Sequence, residues 1–176
     1  MTNLSEYEIN KIQAISDEYD KALYLVSILF KDIKDKAGEP YINHLIRVSV
    51  SVKIRNTKIA ALLHDTVEDI DDMTFDSLKE LGFSNEVIEL VKWVTKNPYD
   101  KVYTNEEKQE IYHNKITSIL NSGNIEAVKL KYADMSDNYN LERLSLLDNE
   151  TRKKLENKYQ NEIIRLKEYL DTTGEN

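Results

Sequence analysis

The chain has 176 residues, of which 40% are hydrophobic and 32% charged, and its formal net charge is −8 at pH 7. This composition excludes a disordered chain, the absence of cysteine excludes disulfide and thiolate sites, and the length suits one domain with a real core. The negative charge disfavours a broad nucleic-acid surface but is compatible with a small anionic substrate and a divalent cation.

The first residues of the chain carry no apolar core of a signal peptide. The longest apolar run, ALYLVSILF, is far shorter than the roughly 20 residues that a membrane helix needs. We therefore expect a cytoplasmic protein with no membrane segment. The sequence indicates nothing about the oligomeric state.

Apolar residues recur at helical spacing along almost the whole chain, and no segment shows sustained strand alternation. The spacing predicts helices over about 5–31, 41–53, 56–69, 74–82, 84–96, 105–121, 124–145 and 149–170, with a loop at 97–104. We expect an all-α fold, a single irregular helical bundle forming one domain over residues 1–176. A C-terminal packing helix covers about 149–170.

The predicted helix at 56–69 carries an unusual group of polar residues after the apolar run AALL. At about 100° per residue, one arc of this helix gathers His64, Asp65, Glu68 and Asp69. A solvated acidic face and a functional site both produce such an arc, and spacing alone leaves the two interpretations open.

The predicted helix at 124–145 is apolar on two sides, which indicates that it is largely buried. Asp134 falls in the middle of one apolar stripe. A buried carboxylate is costly unless it is paired or bound to a metal. The alternatives are therefore a metal ligand or a buried salt bridge with a lysine or arginine.

His44, in the segment YINH, lies in an apolar context near the start of the predicted helix at 41–53. A lone inward histidine is more often a hydrogen-bonded core residue than a ligand. Two histidines with two inward carboxylates, however, suit a divalent ion such as Mn, Fe, Co, Mg or Zn. Spacing alone cannot choose among these ions.

The segments YINH, AALLHDTVED and KYADMSDN, in this order, resemble the HD superfamily of metal-dependent phosphohydrolases. The resemblance covers a motif core of about 30–144. Within this superfamily, the chain resembles the hydrolase domain of Rel/SpoT-type alarmone enzymes and the stand-alone small alarmone hydrolases. The resemblance implies removal of the 3′-pyrophosphate from guanosine tetra- or pentaphosphate, with one divalent metal ion, usually manganese. It implies four metal ligands: His44, His64, Asp65 and Asp134.

The resemblance also implies roles for residues beside the metal. Glu68 and Asp69 match the acidic pair that orients or deprotonates the attacking water. Asn138 matches a residue near the substrate ribose, and Lys36 matches a basic position that faces substrate phosphate. Two further basic residues are candidates to hold phosphate: Lys96 and Arg143. Arg143 is also compatible with a structural ion pair.

Two segments depart from the long Rel/SpoT enzymes, which typically carry Arg and Ser around the loop lysine and read ADRxHN later. Here Asp35 and Ala37 flank that lysine, and the later motif contains Met135 and Asp137. One alternative is therefore an HD phosphatase acting on a nucleoside monophosphate or a phosphorylated dinucleotide. Another is a non-catalytic regulatory module that binds metal and nucleotide, although the Glu68–Asp69 pair argues against it.

Overall fold

The computed structural model describes residues 4–96 and 104–174, which divide into two compact units. The first unit comprises residues 4–35 and 39–95, and the second comprises 36–38, 96 and 104–174. The expected all-α class is confirmed, because the described residues form helices and one isolated bridge between Lys34 and Pro40. The expectation of a single domain stays a prediction.

The first unit is built around one buried helix. Its helices are α1 Glu6–Ala14, α2 Glu18–Leu29, α3 Ile42–Ser51, α4 Arg55–Leu63, α5 Thr66–Asp69, α6 Phe75–Glu80 and α7 Asn85–Val94. α4 packs against α2, α3 and α7. Its last five residues, 59–63, are all buried, so the chain segment that follows them starts inside the core.

The predicted helix at 5–31 is wrong in one respect, because the structure has two helices there, α1 and α2. Ile15 is extended, and Asp17 caps the second helix by accepting hydrogen bonds from the backbone N–H groups of Tyr19 and Asp20. An aspartate in this position accepts hydrogen bonds from the first backbone N–H groups of a helix. It therefore favours the start of a second helix at this point over the continuation of α1.

The predicted helix at 56–69 is interrupted at residues 64 and 65, which separate α4 from α5. The sequence favoured Asn56 as the N-cap of this helix, but the helix begins at Arg55 and Ile54 occupies the N-cap position. At the interruption, the His64 ring contacts the Ala61 carbonyl and the Thr66 hydroxyl donates to the Leu63 carbonyl. Such hydrogen bonds from side chains compete with the backbone hydrogen bonds of the helix and favour its termination.

The second unit contains α8 Asn105–Asn121, α9 Ile125–Asn138, α10 Leu141–Ser145 and α11 Asn149–Thr173. α9 packs against α11 and α8. The predicted helix at 124–145 is therefore two helices, since Asn140 caps α10 by accepting from the N–H groups of Glu142 and Arg143. The predicted loop at 97–104 lies, apart from Thr104, outside the described residues.

Among the described residues, no helix combines the length and the apolar character that crossing a membrane requires.

Candidate metal centre

His44 lies in the first turn of α3 and is 1% exposed. Its backbone N–H donates to the Tyr41 carbonyl at 2.9 Å, which joins the helix to the turn before it. His44 shares the inward side of α3 with Leu45 and Val48, which are also buried. The inward orientation expected from the sequence is confirmed.

His64 and Asp65 form the bend between α4 and α5, and they are 3% and 8% exposed. Of the two interpretations left open by the spacing, a solvated acidic face therefore does not apply to these two residues. Because the C-terminal end of α4 is buried on all sides, the two residues that follow it also lie in the interior.

The His64 ring is oriented by its own helix, since Nδ1 lies 2.7 Å from the Ala61 carbonyl oxygen. A carbonyl oxygen can only accept, so Nδ1 must carry the proton. The second ring nitrogen, Nε2, lies 3.0 Å from Oδ2 of Asp65. In a neutral ring, Nε2 would present a lone pair to that carboxylate.

The three side chains converge on one point. His44 Nε2 lies 3.8 Å from Asp65 Oδ2, and the two imidazole rings meet edge to face with their centroids 5.4 Å apart. One ligand atom from each of the three residues lies within 4.8 Å of the others. Within residues 4–96 and 104–174, this is the group whose spacing suits a metal ion.

The chemistry of these donors fits a divalent cation. Two imidazole nitrogens and a carboxylate oxygen are the ligands that borderline metals such as zinc, manganese and iron accept. A metal-binding histidine usually donates its other N–H to a carbonyl or carboxylate, which is what His64 does toward Ala61. A cation would also relieve the contact between the His64 lone pair and the Asp65 carboxylate.

Tyr41 adds a polar contact that sequence analysis missed. Its hydroxyl donates to Oδ2 of Asp65 at 2.6 Å, across 24 positions in the chain. The segment YINH places Tyr41 one turn before His44, but the spacing indicates no contact with Asp65.

Glu68 and Asp69 follow the bend in α5, where Glu68 is half-buried and Asp69 is exposed. The Asp69 N–H donates to the Asp65 carbonyl at 2.9 Å, so one helical turn links the acidic pair to the candidate ligand. A half-buried carboxylate one turn from a metal ligand can accept a proton while remaining in contact with water.

Asp134 lies on α9 in the second unit and is 6% exposed, which confirms the expected burial. Lys131, 3% exposed, donates to Oδ2 at 2.8 Å, and the Asn138 amide donates to Oδ1 at 2.7 Å. The salt-bridge alternative considered for Asp134 is therefore present. It does not exclude metal binding, because each carboxylate oxygen has a second lone pair.

An aromatic pair lies on the neighbouring helices of this unit. Tyr112 of α8 and Tyr159 of α11 meet edge to face with their ring centroids 6.1 Å apart. Burial raises the pKa of the Tyr159 hydroxyl above its ordinary value, with smaller contributions from Tyr112 and Asp134. The hydroxyl therefore stays protonated at neutral pH.

The basic candidates differ in their surroundings. Lys36 is exposed in the loop before α3, and Lys96 is half-buried just after α7. Arg143 of α10 donates to the Asp137 carbonyl at 3.0 Å and forms an ion pair with the Asp137 carboxylate. The structural ion pair considered for Arg143 is thus present.

Lys131, which contacts Asp134, is the second neighbour of a candidate ligand that sequence analysis missed. It lies three positions before Asp134, a spacing at which side chains of a helix meet. This signal was available in the sequence, but the same spacing occurs at many surface pairs of this highly charged chain.

Comparison with protein families finds a match between residues 22–162 and the HD domain family model. A protein of Aquifex aeolicus (strain VF5) named guanosine-3′,5′-bis(diphosphate) 3′-pyrophosphohydrolase is 33% identical over 144 residues. This alignment covers 80% of the present chain and 20% of that protein.

A Drosophila melanogaster protein, guanosine-3′,5′-bis(diphosphate) 3′-pyrophosphohydrolase MESH1, is 37% identical over 111 residues. This alignment covers 60% of the present chain and 57% of that protein. The chain therefore spans a fifth to little more than half of the length of these relatives.

Among solved structures, one is described as a metazoan ortholog of SpoT that hydrolyzes ppGpp and plays a role in starvation responses. It superposes with a TM-score of 0.64 at 24% identity, covering 92% of this chain and 98% of that one. At this identity the superposition establishes a shared fold.

Proposed function

The chain belongs to the HD domain family, whose model spans residues 22–162, and we propose that it is a metal-dependent phosphohydrolase of alarmone nucleotides. Its reaction is the removal of the 3′-pyrophosphate of guanosine tetra- or pentaphosphate (ppGpp or pppGpp). The products are GDP or GTP and pyrophosphate.

The observation that carries this proposal is the convergence of His44, His64 and Asp65 within 4.8 Å. Burying a carboxylate and two imidazoles in an apolar core lowers the free energy of unfolding, so packing alone does not account for them. The names of the two similar proteins, both 3′-pyrophosphohydrolases of guanosine bis(diphosphate), support the choice of substrate.

We propose that His44, His64, Asp65 and Asp134 hold one divalent ion, with manganese as the first choice. Fe, Co, Mg and Zn remain compatible with the same donors. When bound, such an ion lowers the pKa of a coordinated water and polarises a phosphoryl oxygen.

Residues of the chain accept the proton of the water, orient the water and contact the substrate. Glu68 accepts the proton of the attacking water, since its carboxylate is half-buried and one turn from Asp65. Asp69 orients that water from the exposed side of α5. Asn138 contacts the ribose while its amide also holds Asp134.

Substrate phosphates require positive charge, because the chain as a whole carries −8. We propose Lys36 and Lys96 as phosphate contacts. Arg143 contributes through a guanidinium group that Asp137 already orients. The partner is thus a small anionic nucleotide rather than nucleic acid or a membrane, and the site of action is the cytoplasm.

The test is incubation of purified, metal-stripped protein with guanosine tetraphosphate, with and without Mn²⁺, followed by ion-exchange separation of the products. We expect GDP and intact pyrophosphate only when Mn²⁺ is present. His64→Ala should lose both bound metal and activity. His113→Ala is the matched control, since this third histidine of the chain lies on α8 with a half-exposed side chain.

Activity that survives in His64→Ala would remove the metal site from the mechanism. Stoichiometric metal binding without cleavage of this nucleotide would retain the site and contradict the alarmone substrate. A panel of nucleoside monophosphates and phosphorylated dinucleotides would then identify the substrate of a related HD phosphatase, and absence of any turnover would indicate a regulatory module.

A further inference from the structure

We propose that Tyr41 is a positioning residue of the metal centre, whose hydroxyl holds the Asp65 carboxylate in the orientation that binds the ion. The hydroxyl donates to Oδ2 of Asp65 at 2.6 Å. This inference rests on the proposed function, because it takes Asp65 as a metal ligand.

The Tyr41 ring is held in place from several directions. It stacks on Phe30 with the centroids 5.3 Å apart and the planes 14° from parallel. It also meets the His44 ring edge to face at 5.5 Å. Its backbone N–H donates to the Ile33 carbonyl at 2.9 Å. The hydroxyl is therefore presented to Asp65 by a ring with little freedom to move.

The position of Asp65 in the chain explains why a hydrogen bond from Tyr41 would orient its carboxylate. It occupies the bend between α4 and α5, and its side chain makes no capping bond to the backbone of α5. An ionised carboxylate only accepts hydrogen bonds, and O–H···O⁻ bonds of this length are among the stronger ones in proteins. The Tyr41 bond uses one of the roughly four lone-pair sites that a carboxylate offers.

Tyr41 also connects the two segments that supply the ligands. It directly precedes α3, and its carbonyl accepts the N–H of His44 at 2.9 Å. The same residue thus touches His44 through its backbone and Asp65 through its hydroxyl. A partner of this kind around a metal ligand typically contributes about 10–100-fold in metal affinity.

The first test compares Mn²⁺ affinity of the wild-type protein and Tyr41→Phe, measured by calorimetry and by the electron paramagnetic resonance of free Mn²⁺. The substitution keeps the ring that stacks on Phe30 and removes the hydroxyl. We expect affinity to fall about 10–100-fold while circular dichroism stays unchanged. Tyr19→Phe is the matched control, since its hydroxyl lies 3.4 Å from Ser49 in the same unit.

A second pair of variants separates the hydrogen bond from packing. Replacing the Tyr41 side chain with para-fluorophenylalanine fills the volume of the hydroxyl without a donor. Replacing it with para-aminophenylalanine restores an N–H donor at the same place. We expect weak metal binding for the fluoro side chain and recovery for the amino side chain. This pair carries the test if Tyr41→Phe does not fold.

The outcomes separate this inference from the function on which it rests. Equal Mn²⁺ affinity in wild type and Tyr41→Phe, or in the fluoro and amino variants, would overturn the role of Tyr41 and leave the metal centre intact. A wild-type protein that binds no divalent ion would overturn both. Loss of affinity in Tyr19→Phe to the same extent would show a general packing effect and contradict the positioning role.

Discussion

Asp65 is surrounded by polar groups from three places in the chain: the hydroxyl of Tyr41 and the imidazoles of His44 and His64. At 8% exposure it has little contact with water, so the hydrogen bond from the Tyr41 hydroxyl replaces part of its hydration. Removing a neighbour from a buried carboxylate costs more than the same change at the surface. Single substitutions around this residue should therefore have large and separable effects.

Glu68→Gln tests the proton acceptor. The amide keeps the size of the side chain and cannot take a proton, so we expect kcat to fall about 10²–10⁴-fold with unchanged metal affinity. Steady-state kinetics with guanosine tetraphosphate and Mn²⁺ titration measure the two quantities. Glu86→Gln, at an exposed position of α7, should change neither. A full rate in Glu68→Gln would remove this residue from the mechanism.

Lys131→Met tests the buried ion pair on α9. It leaves the Asp134 carboxylate without its lysine in an environment that excludes water, where losing one partner costs about 3–5 kcal/mol. Urea denaturation followed by circular dichroism measures the free energy of unfolding. Lys154→Met removes the lysine of an exposed ion pair with Glu150, four positions before it in α11, and should change stability little. Equal effects of the two substitutions would contradict a special contribution from burial.

At the scale of single elements, the ends of helices were the least predictable features. Apolar residues recur at helical spacing on both sides of 15–17, 64–65 and 139–140, so this spacing predicts helix through all three regions. In each case side chains of Asp17, His64 or Asn140 bond to nearby backbone groups and interrupt the helix. Gly82 and Ser84, by contrast, lie at the predicted boundary between the helices at 74–82 and 84–96, where Gly82 has a positive φ and Ser84 is the N-cap of α7.

Gly82→Ala tests the turn between α6 and α7. Gly82 has φ +86°, and an added Cβ would lie 2.9 Å from Nζ of Lys21. That lysine is buried and donates to the Gly82 carbonyl at 3.2 Å, so the shift of its ammonium group that an added Cβ requires would disturb this bond. The left-handed backbone alone costs roughly 1–2 kcal/mol, and we expect Gly82→Ala to exceed this.

The matched control for this turn is Gly123→Ala, where φ is +70° and no atom lies within 4 Å of the added Cβ. Thermal unfolding of both variants separates backbone strain from the contact with Lys21. A loss of stability in Gly123→Ala as large as that in Gly82→Ala would show that the contact with Lys21 contributes nothing.

For the whole molecule, the family match over residues 22–162 confirms the resemblance to the HD superfamily that the ordered motifs indicated. That match includes helices of both compact units. The group His44, His64 and Asp65 belongs to the first unit. An ion that binds only the native state would raise the stability of the chain.

Mn²⁺ should stabilise the native protein against thermal unfolding. A ligand that binds only the native state at 100 times its Kd adds about 2.7 kcal/mol to the free energy of unfolding. Differential scanning calorimetry across a Mn²⁺ series measures the rise in Tm. The rise should be absent in His64→Ala, and an equal rise in that variant would place the binding elsewhere.

Helical periodicity and the order of a few polar residues were enough to predict the all-α class, the burial of His44 and Asp134, and the resemblance to a metal-dependent family. These properties are local, because each depends on spacing within one helix or one motif. The convergence of His44, His64 and Asp65 followed from the sequence only through that resemblance, and their roles in binding metal stay predictions.

The bond between Tyr41 and Asp65 depends on folding, because it joins segments 24 positions apart and neither segment alone indicates the distance of 2.6 Å. The interruption at residues 64 and 65 depends on packing, because a buried backbone carbonyl must find a donor and the His64 ring supplies one. Lys131 was one of 24 basic residues, and only the burial of α9 distinguishes it as the counterion of Asp134.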